Sequence, residues 1–292
     1  MRRLEYLITE VRNSTDNKDV NGIPDAEIIG YFNYGQKLLQ NIIFKANSKC
    51  DIFKETEVYE PSSDGQYALP SNIFADNSIS LVEVKTGVDT VNDGYRPVDR
   101  VDKSEASSKF GYYTEDGTLF LTGMNSNYNI YSLRVSYFKK LPKVDKRWGK
   151  VSAINSGVSL TLDPATYDSN YSTVDDNLTV VDKFGAQVLS NIYADSFSTN
   201  VISTSNALAG VTTSHYVCMG ADSVNVSQLP DECETYLLDY VRQRIYTRNV
   251  YNDANKQVYF TDKQEADIAD LFKNNQKDVL YPPITDTTML EW

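Results

Sequence analysis

Apolar residues recur with helical spacing at both ends of this chain and with strand-like alternation through its middle. This constrains the fold more than any other feature. Near the start, Leu4, Leu7, Ile8 and Val11 return at three- and four-residue steps, the signature of one face of a short helix. After a polar stretch from Asn13 to Asn21, Pro24 opens a longer helix expected to reach about Lys45. Ile28, Phe32, Leu39, Ile42 and Ile43 form its stripe, and Gly35 leaves room for a close neighbour. Toward the other end, Leu229-Pro230-Asp231-Glu232 reads as a helix start, with Pro in the first turn and acids against the helix dipole. Leu237, Leu238, Val241 and Ile245 carry that helix's stripe. A further helix is expected from about Asp253 to Lys277, using Val258, Ile268, Leu271 and Phe272. Leu280-Tyr281-Pro282-Pro283 cannot continue it.

Between these ends, Thr56–Tyr59, Ile79–Lys85, Thr118–Thr122 and Leu133–Phe138 read as strands. Asp64-Gly65, Asp93-Gly94 and Asp116-Gly117 supply turns. A second β-patterned block, 148–228, differs in composition, being poor in charge and rich in Ser, Thr and Asn. Its strands are expected at Val151–Ile154, Val158–Leu162, Leu178–Val181 and Ala186–Ile192. The expected class is α+β: a discontinuous helical bundle core with an antiparallel β segment and an inserted β-domain. The divisions expected are 1–48 with 229–280 as the helical core, 49–147 as the β segment, 148–228 as the inserted domain, and 281–292 as an extended arm.

Charge and composition narrow the function. The formal net charge is −12, and residues 151–229 carry one basic and seven acidic side chains. No segment is strongly basic, which argues against tight phosphate-backbone binding, although an acidic wall can let DNA slide past. No stretch approaches the roughly 18 apolar residues that span a bilayer. Met1 to Thr15 lacks the apolar segment of a secretory signal, so folding in the cytosol is expected. Cys50, Cys218 and Cys233 are too scattered for a disulfide framework and read as reduced, partly buried residues.

No constellation points to catalysis, a cofactor or a metal. The single histidine, His215, is expected in a strand with Cys218, where residues three apart face opposite ways. His215, Cys218 and Cys233 have no standard zinc spacing. Asn17-Lys18-Asp19-Val20-Asn21-Gly22 begins like a calcium loop, but Ile28 occupies the position where the bidentate Glu belongs. Carboxylates such as Asp175 and Asp176 have no partner identifiable from spacing. The 21 tyrosines suit either core filling or a protein interface.

Several local patterns, taken in order, resemble the head–tail adaptor (connector) proteins of tailed phages. Asp25 to Gln36 is similar to their D-x-E-I-x-x-Y-x-N-x-G-Q helix, and Gln66-Tyr67-Ala68-Leu69-Pro70 to their Tyr-x-Leu-Pro turn. Gly111-Tyr112-Tyr113, Thr118–Leu121 and Leu133–Pro142 resemble their central β segment, and Leu229–Glu232 the start of their last helical pair. The 148–228 insertion exceeds a minimal adaptor and resembles the decorated adaptors of short-tailed phages, gut phages related to crAssphage among them. The resemblance implies a structural virion protein and no enzyme. Its partners would be the portal protein, other tail or ring proteins, and further copies of itself in a homo-oligomeric ring, commonly a dodecamer. That ring would sit at the head–tail junction after assembly in the host cytoplasm, with genomic DNA passing through its channel without specific binding. Tyr281, Pro282, Pro283, Ile284, Met289, Leu290 and Trp292 are then the candidate portal or subunit contacts. The prolines favour an extended arm, and its twelve residues can reach roughly 40 Å. The alternative is a receptor- or carbohydrate-binding virion protein, supported by the Ser/Thr/Asn-rich block with its tyrosines.

Overall fold

The computed structural model describes residues 1–16, 22–47, 51–75, 78–86, 94–123, 130–167, 177–251 and 258–273. Its helices come from the two ends of the chain and pack on one another, giving the expected α+β fold with a discontinuous helical core. Helix α1 is Leu4–Ser14, α2 is Asp25–Ala46, α3 is Glu234–Tyr251 and α4 is Asp262–Lys273. The stripes anticipated on the first three helices are buried throughout. Leu4, Leu7, Ile8 and Val11 meet Ile28, Phe32, Leu39 and Ile43, together with Leu237, Leu238, Val241 and Ile245. Helix α2 lies at the centre, in contact with α1, α3 and α4. Pro24 proves to be the extended residue just before α2, which starts at Asp25.

The last helix is shorter than its periodicity suggests. Residues 258–261 are not helical, and α4 begins only at Asp262. Two local forces set that start. Phe260 is buried against the Tyr240 ring, with centroids 5.5 Å apart. Thr261 and Gln264 form a reciprocal cap: Gln264 N donates to Thr261 Oγ1 (3.3 Å), and Thr261 N donates to Gln264 Oε1 (3.0 Å). Ile268 and Phe272 are buried one turn apart, whereas Leu271 is turned outward.

The first β segment is two sheets around one core. Strands β1 (Lys54–Tyr59), β3 (Ile79–Thr86), β4 (Tyr95–Pro97) and β7 (Ile130–Phe138) form a four-stranded sheet in the order β1-β7-β3-β4. Strands β2 (Gln66–Ala68), β5 (Gly111–Glu115) and β6 (Thr118–Thr122) form a three-stranded sheet in the order β2-β6-β5. Gln66–Ala68, expected as a turn, is thus a short strand whose Tyr67 is buried. Alternation puts Leu119 and Leu121 of one sheet against Leu133, Val135 and Tyr137 of the other.

The chain then passes through β8 (Lys143–Val144) into a closed six-stranded barrel and returns through β15 (Ser223–Val224), which pairs with β8 in parallel. The barrel strands are β9 (Arg147–Asn155), β10 (Ser159–Leu162), β11 (Asn177–Val181), β12 (Gln187–Ser198), β13 (Val201–Thr204) and β14 (Tyr216–Met219). They close in the order β10-β13-β12-β11-β14-β9. Trp148, Leu160, Leu162, Leu178, Val180, Ile202 and Val217 fill the interior. A barrel this narrow is a packed core and not a channel. Strand β12 runs six residues beyond its expected end at Ile192. Asn191 adopts a left-handed backbone (φ 52°), and the pairing of β12 shifts register near it.

Candidate functional site

The pattern from Asp25 to Gln36 on α2 gathers contacts from nearly every part of the molecule. Asp25 accepts from Arg12 Nη2 at 2.6 Å and from Lys146 Nζ at 3.1 Å, which ties α2 to α1 and to the entry of the barrel. Burial pushes the Asp25 carboxyl up, but the hydrogen bonds from Arg12 and Lys146 outweigh it and hold it below its usual value. Glu27 accepts from the Tyr31 hydroxyl at 2.5 Å and pairs with Arg248 Nε at 2.7 Å. The Arg244 guanidinium lies 4.8 Å from the Tyr31 ring centre. Burial, reinforced by Glu27, pushes the Tyr31 phenol up to about 12, so it stays a neutral donor.

The next positions hold the chain that connects the two β modules. Asn33 imitates a strand: its Nδ2 donates to Val144 O (2.9 Å), and its Oδ1 accepts from Val144 N (2.7 Å). Gln36 donates to Pro142 O (2.8 Å) and accepts from Ser227 Oγ (2.5 Å). Gln40 donates to Lys139 O (2.8 Å) and accepts from Leu141 N (3.3 Å). Residues 33, 36 and 40 share one face of a helix, so this amide stripe binds the 139–144 main chain along its length. Opposite it, Gly35 lies under Tyr240, where a side chain would collide. The result is a joint: α2 clamps the helical core, the first β segment and the barrel to one another.

Glu5 completes the joint from α1. Its carboxylate accepts from Arg147 N at 2.9 Å and from Asn225 Nδ2 at 2.8 Å, at the two necks of the barrel. Asn225 Nδ2 also donates to Asp145 O.

Beside the amide stripe, α2 and the 140–143 stretch enclose a groove of about 550 Å3. Tyr34, Phe74 and Leu141 give it largely apolar walls, and Lys37, Lys140 and Lys143 edge it. A second, more polar cleft of about 860 Å3 separates the four-stranded sheet from the barrel. Asn72, Asn177, Gln187 and Asn191 supply amides there, and Glu57 and Asp222 supply carboxylates.

The residues weighed for chemistry do not converge. His215 is not in a strand; it sits in the turn before β14, where its Nδ1 accepts from Thr212 N at 3.1 Å. That bond closes the turn and so delays the strand. Cys218 is buried in a barrel strand, where burial pushes its thiol well up, whereas Cys233 is buried in the helical core. Ile28, at the twelfth position of the calcium-like run, is fully buried in that core. Among the described residues, no group of three or more His, Cys, Asp or Glu side chains could hold a metal ion. Cys50, Asp175, Asp176 and most of the Asn17–Gly22 run lie outside the described residues. So do the arm candidates Tyr281, Pro282, Pro283, Ile284, Met289, Leu290 and Trp292.

Sequence reasoning did not single out the groove. Its lysines were visible in Lys139-Lys140-Leu141-Pro142-Lys143, but nothing local to that run says that α2 lies beside it. No family model matches this chain, and no curated protein matches it.

Proposed function

We propose that this protein is a structural subunit of a head–tail connector ring, seated between a phage portal and its tail and surrounding the DNA channel. One observation carries the reading. The Asp25–Gln36 pattern that resembles adaptor helices is used position by position, since Asp25, Glu27, Tyr31, Asn33, Gly35 and Gln36 each make a distinct joint contact. A joint of this kind suits a part that transmits load, because side-chain contacts from α2 tie three modules directly to one another. The net charge of −12 suits a channel wall that DNA must pass without adhering. The ring would be homo-oligomeric, about twelve copies by the resemblance, with portal and tail proteins as its axial partners. The role proposed involves no catalysis and no cofactor.

The test is to mix the purified protein with a portal protein from the same genome and image the mixture by negative stain. The expected result is a ring stacked coaxially on the portal. Two populations that never associate, at any mixing ratio, would sink the reading.

A second reading, a carbohydrate-binding virion protein, draws on the cleft between sheet and barrel. Side-chain amides and carboxylates around a concave space match the alternating donors and acceptors of sugar hydroxyls. Glycan-array binding that is lost on Asn72→Ala and Gln187→Ala would favour it over the connector.

A further inference from the structure

The groove on the outer side of α2 has three properties that together specify an occupant. First, it is basic in an acidic protein. Lys37, Lys140 and Lys143 all edge it and are all exposed, and none makes an ion pair with another described residue. Second, Tyr34, Phe74 and Leu141 in its walls are only partly covered, and Tyr34 is 40% exposed. Third, Gly30 lies on the same wall, exposed and inside α2, and a Cβ built there meets nothing within 4 Å. A glycine inside a helix costs about 1 kcal/mol relative to alanine. At Gly35 a neighbour explains that cost; at Gly30 no described neighbour does. A segment lying close against the helix would.

The matching segment is in this chain's own sequence. Residues 281–292 carry Tyr281, Ile284, Met289, Leu290 and Trp292, and their only charged side chains are Asp286 and Glu291. Large apolar residues interspersed with carboxylates complement an apolar trough rimmed by ammonium groups. We propose that residues 281–292 of a second copy dock in the groove lined by Tyr34, Phe74 and Leu141, with Asp286 and Glu291 paired to its lysines. Choosing a second copy as the source rests on the ring reading. A closed ring needs a donor surface and a different acceptor surface on every subunit, and arm and groove are such a pair.

The experiment uses the full chain. Sedimentation velocity over a concentration series should show self-association that weakens in high salt and in the presence of excess synthetic 281–292 peptide. Lys37→Glu/Lys140→Glu/Lys143→Glu should weaken it by at least roughly tenfold, about 1.4 kcal/mol. Asp286→Lys/Glu291→Lys should weaken it similarly. Mixing these two variants should restore association, because a basic arm then meets an acidic groove. Gly30→Trp, which alters no charge, should also block it by filling the trough. Circular dichroism checks that each variant folds. A wild-type chain that stays monomeric throughout, a triple variant that associates at full strength, or a mixture that fails to recover would each overturn the proposal. Portal binding is measured separately. If it persists while the groove variants behave as wild type, this inference fails and the connector reading stands. If the charge swap works and no portal complex forms, the reverse holds.

Discussion

Gly35 of α2 lies directly beneath the Tyr240 ring of α3: a methyl group in place of its hydrogen would sit 2.7 Å from Tyr240 Cδ1 and 2.9 Å from Leu237 Cδ1. Both neighbours are almost fully buried, and Tyr240 is itself held between Tyr34 and Phe260. Neither can swing away, so Gly35→Ala forces the helices apart. The expected loss is about 2 kcal/mol, overpacking exceeding the gain in helix propensity. Gly30→Ala, five residues earlier on open surface, should instead stabilise the protein by about 1 kcal/mol. Urea unfolding of the two variants measures the contrast. Equal effects would mean that α2 and α3 are not in this close register.

The amide stripe gives a second expectation. Asn33→Ala removes both hydrogen bonds to the buried Val144, along with one to Ile29 O, and leaves both main-chain groups of Val144 without their Asn33 partner, which costs about 2 kcal/mol. Amide hydrogen exchange at Lys143–Val144 should rise more than exchange within β11 or β14. Unchanged protection at Val144 would show that the clamp is not used.

Asp25 sets a pH dependence. Its carboxyl is held below the usual value in the folded protein, so its contribution to stability is fully present above the ordinary carboxylate range. That contribution is lost as pH falls through the lowered folded value. Asp25→Asn should therefore cost about 2 kcal/mol near neutrality, where Arg12 and Lys146 each lose a charged acceptor, and progressively less below pH about 4. Thermal melts of both proteins across that range give the difference. A gap that stays constant with pH would show that the carboxylate charge contributes nothing.

Trp148 reports on the barrel alone. It is fully buried against Tyr167 and Phe197, with ring centres 5.5 and 5.3 Å away. Trp148→Ala should cost the barrel about 4 kcal/mol. Because the barrel core and the helical core are separate clusters, protection in β9–β14 should fall while that of α2 and α3 persists. Simultaneous loss in both would mean that the two cores unfold as one unit.

What could be read beforehand follows from the range of each interaction. The stripe from Ile28 to Ile43 was legible because a helix repeats its buried face every few residues, within one window of sequence. The short strand Tyr95–Pro97 was missed because three residues give alternation too little length to register. The far half of β12 was hidden by small residues and by the shift in pairing near Asn191. The start of α4 was misjudged because Phe260 is taken up by Tyr240, a partner twenty residues away in sequence. The joint shows the same limit more sharply. Asn33 and Gln36 were visible as part of a pattern, but their partners Val144, Pro142 and Ser227 lie more than 100 residues away in sequence. Only the folded chain brings them together.

The parallel pairing of Lys143–Val144 with Ser223–Val224 has a consequence for modularity. It makes the two necks of the barrel immediate neighbours. Neighbouring ends let the segment between them change length at little entropic cost to the helices that hold the necks. The barrel can therefore be treated as a cassette, exchangeable as one piece, whereas Asn33 and Glu5 at its base hold the socket that any replacement has to fit.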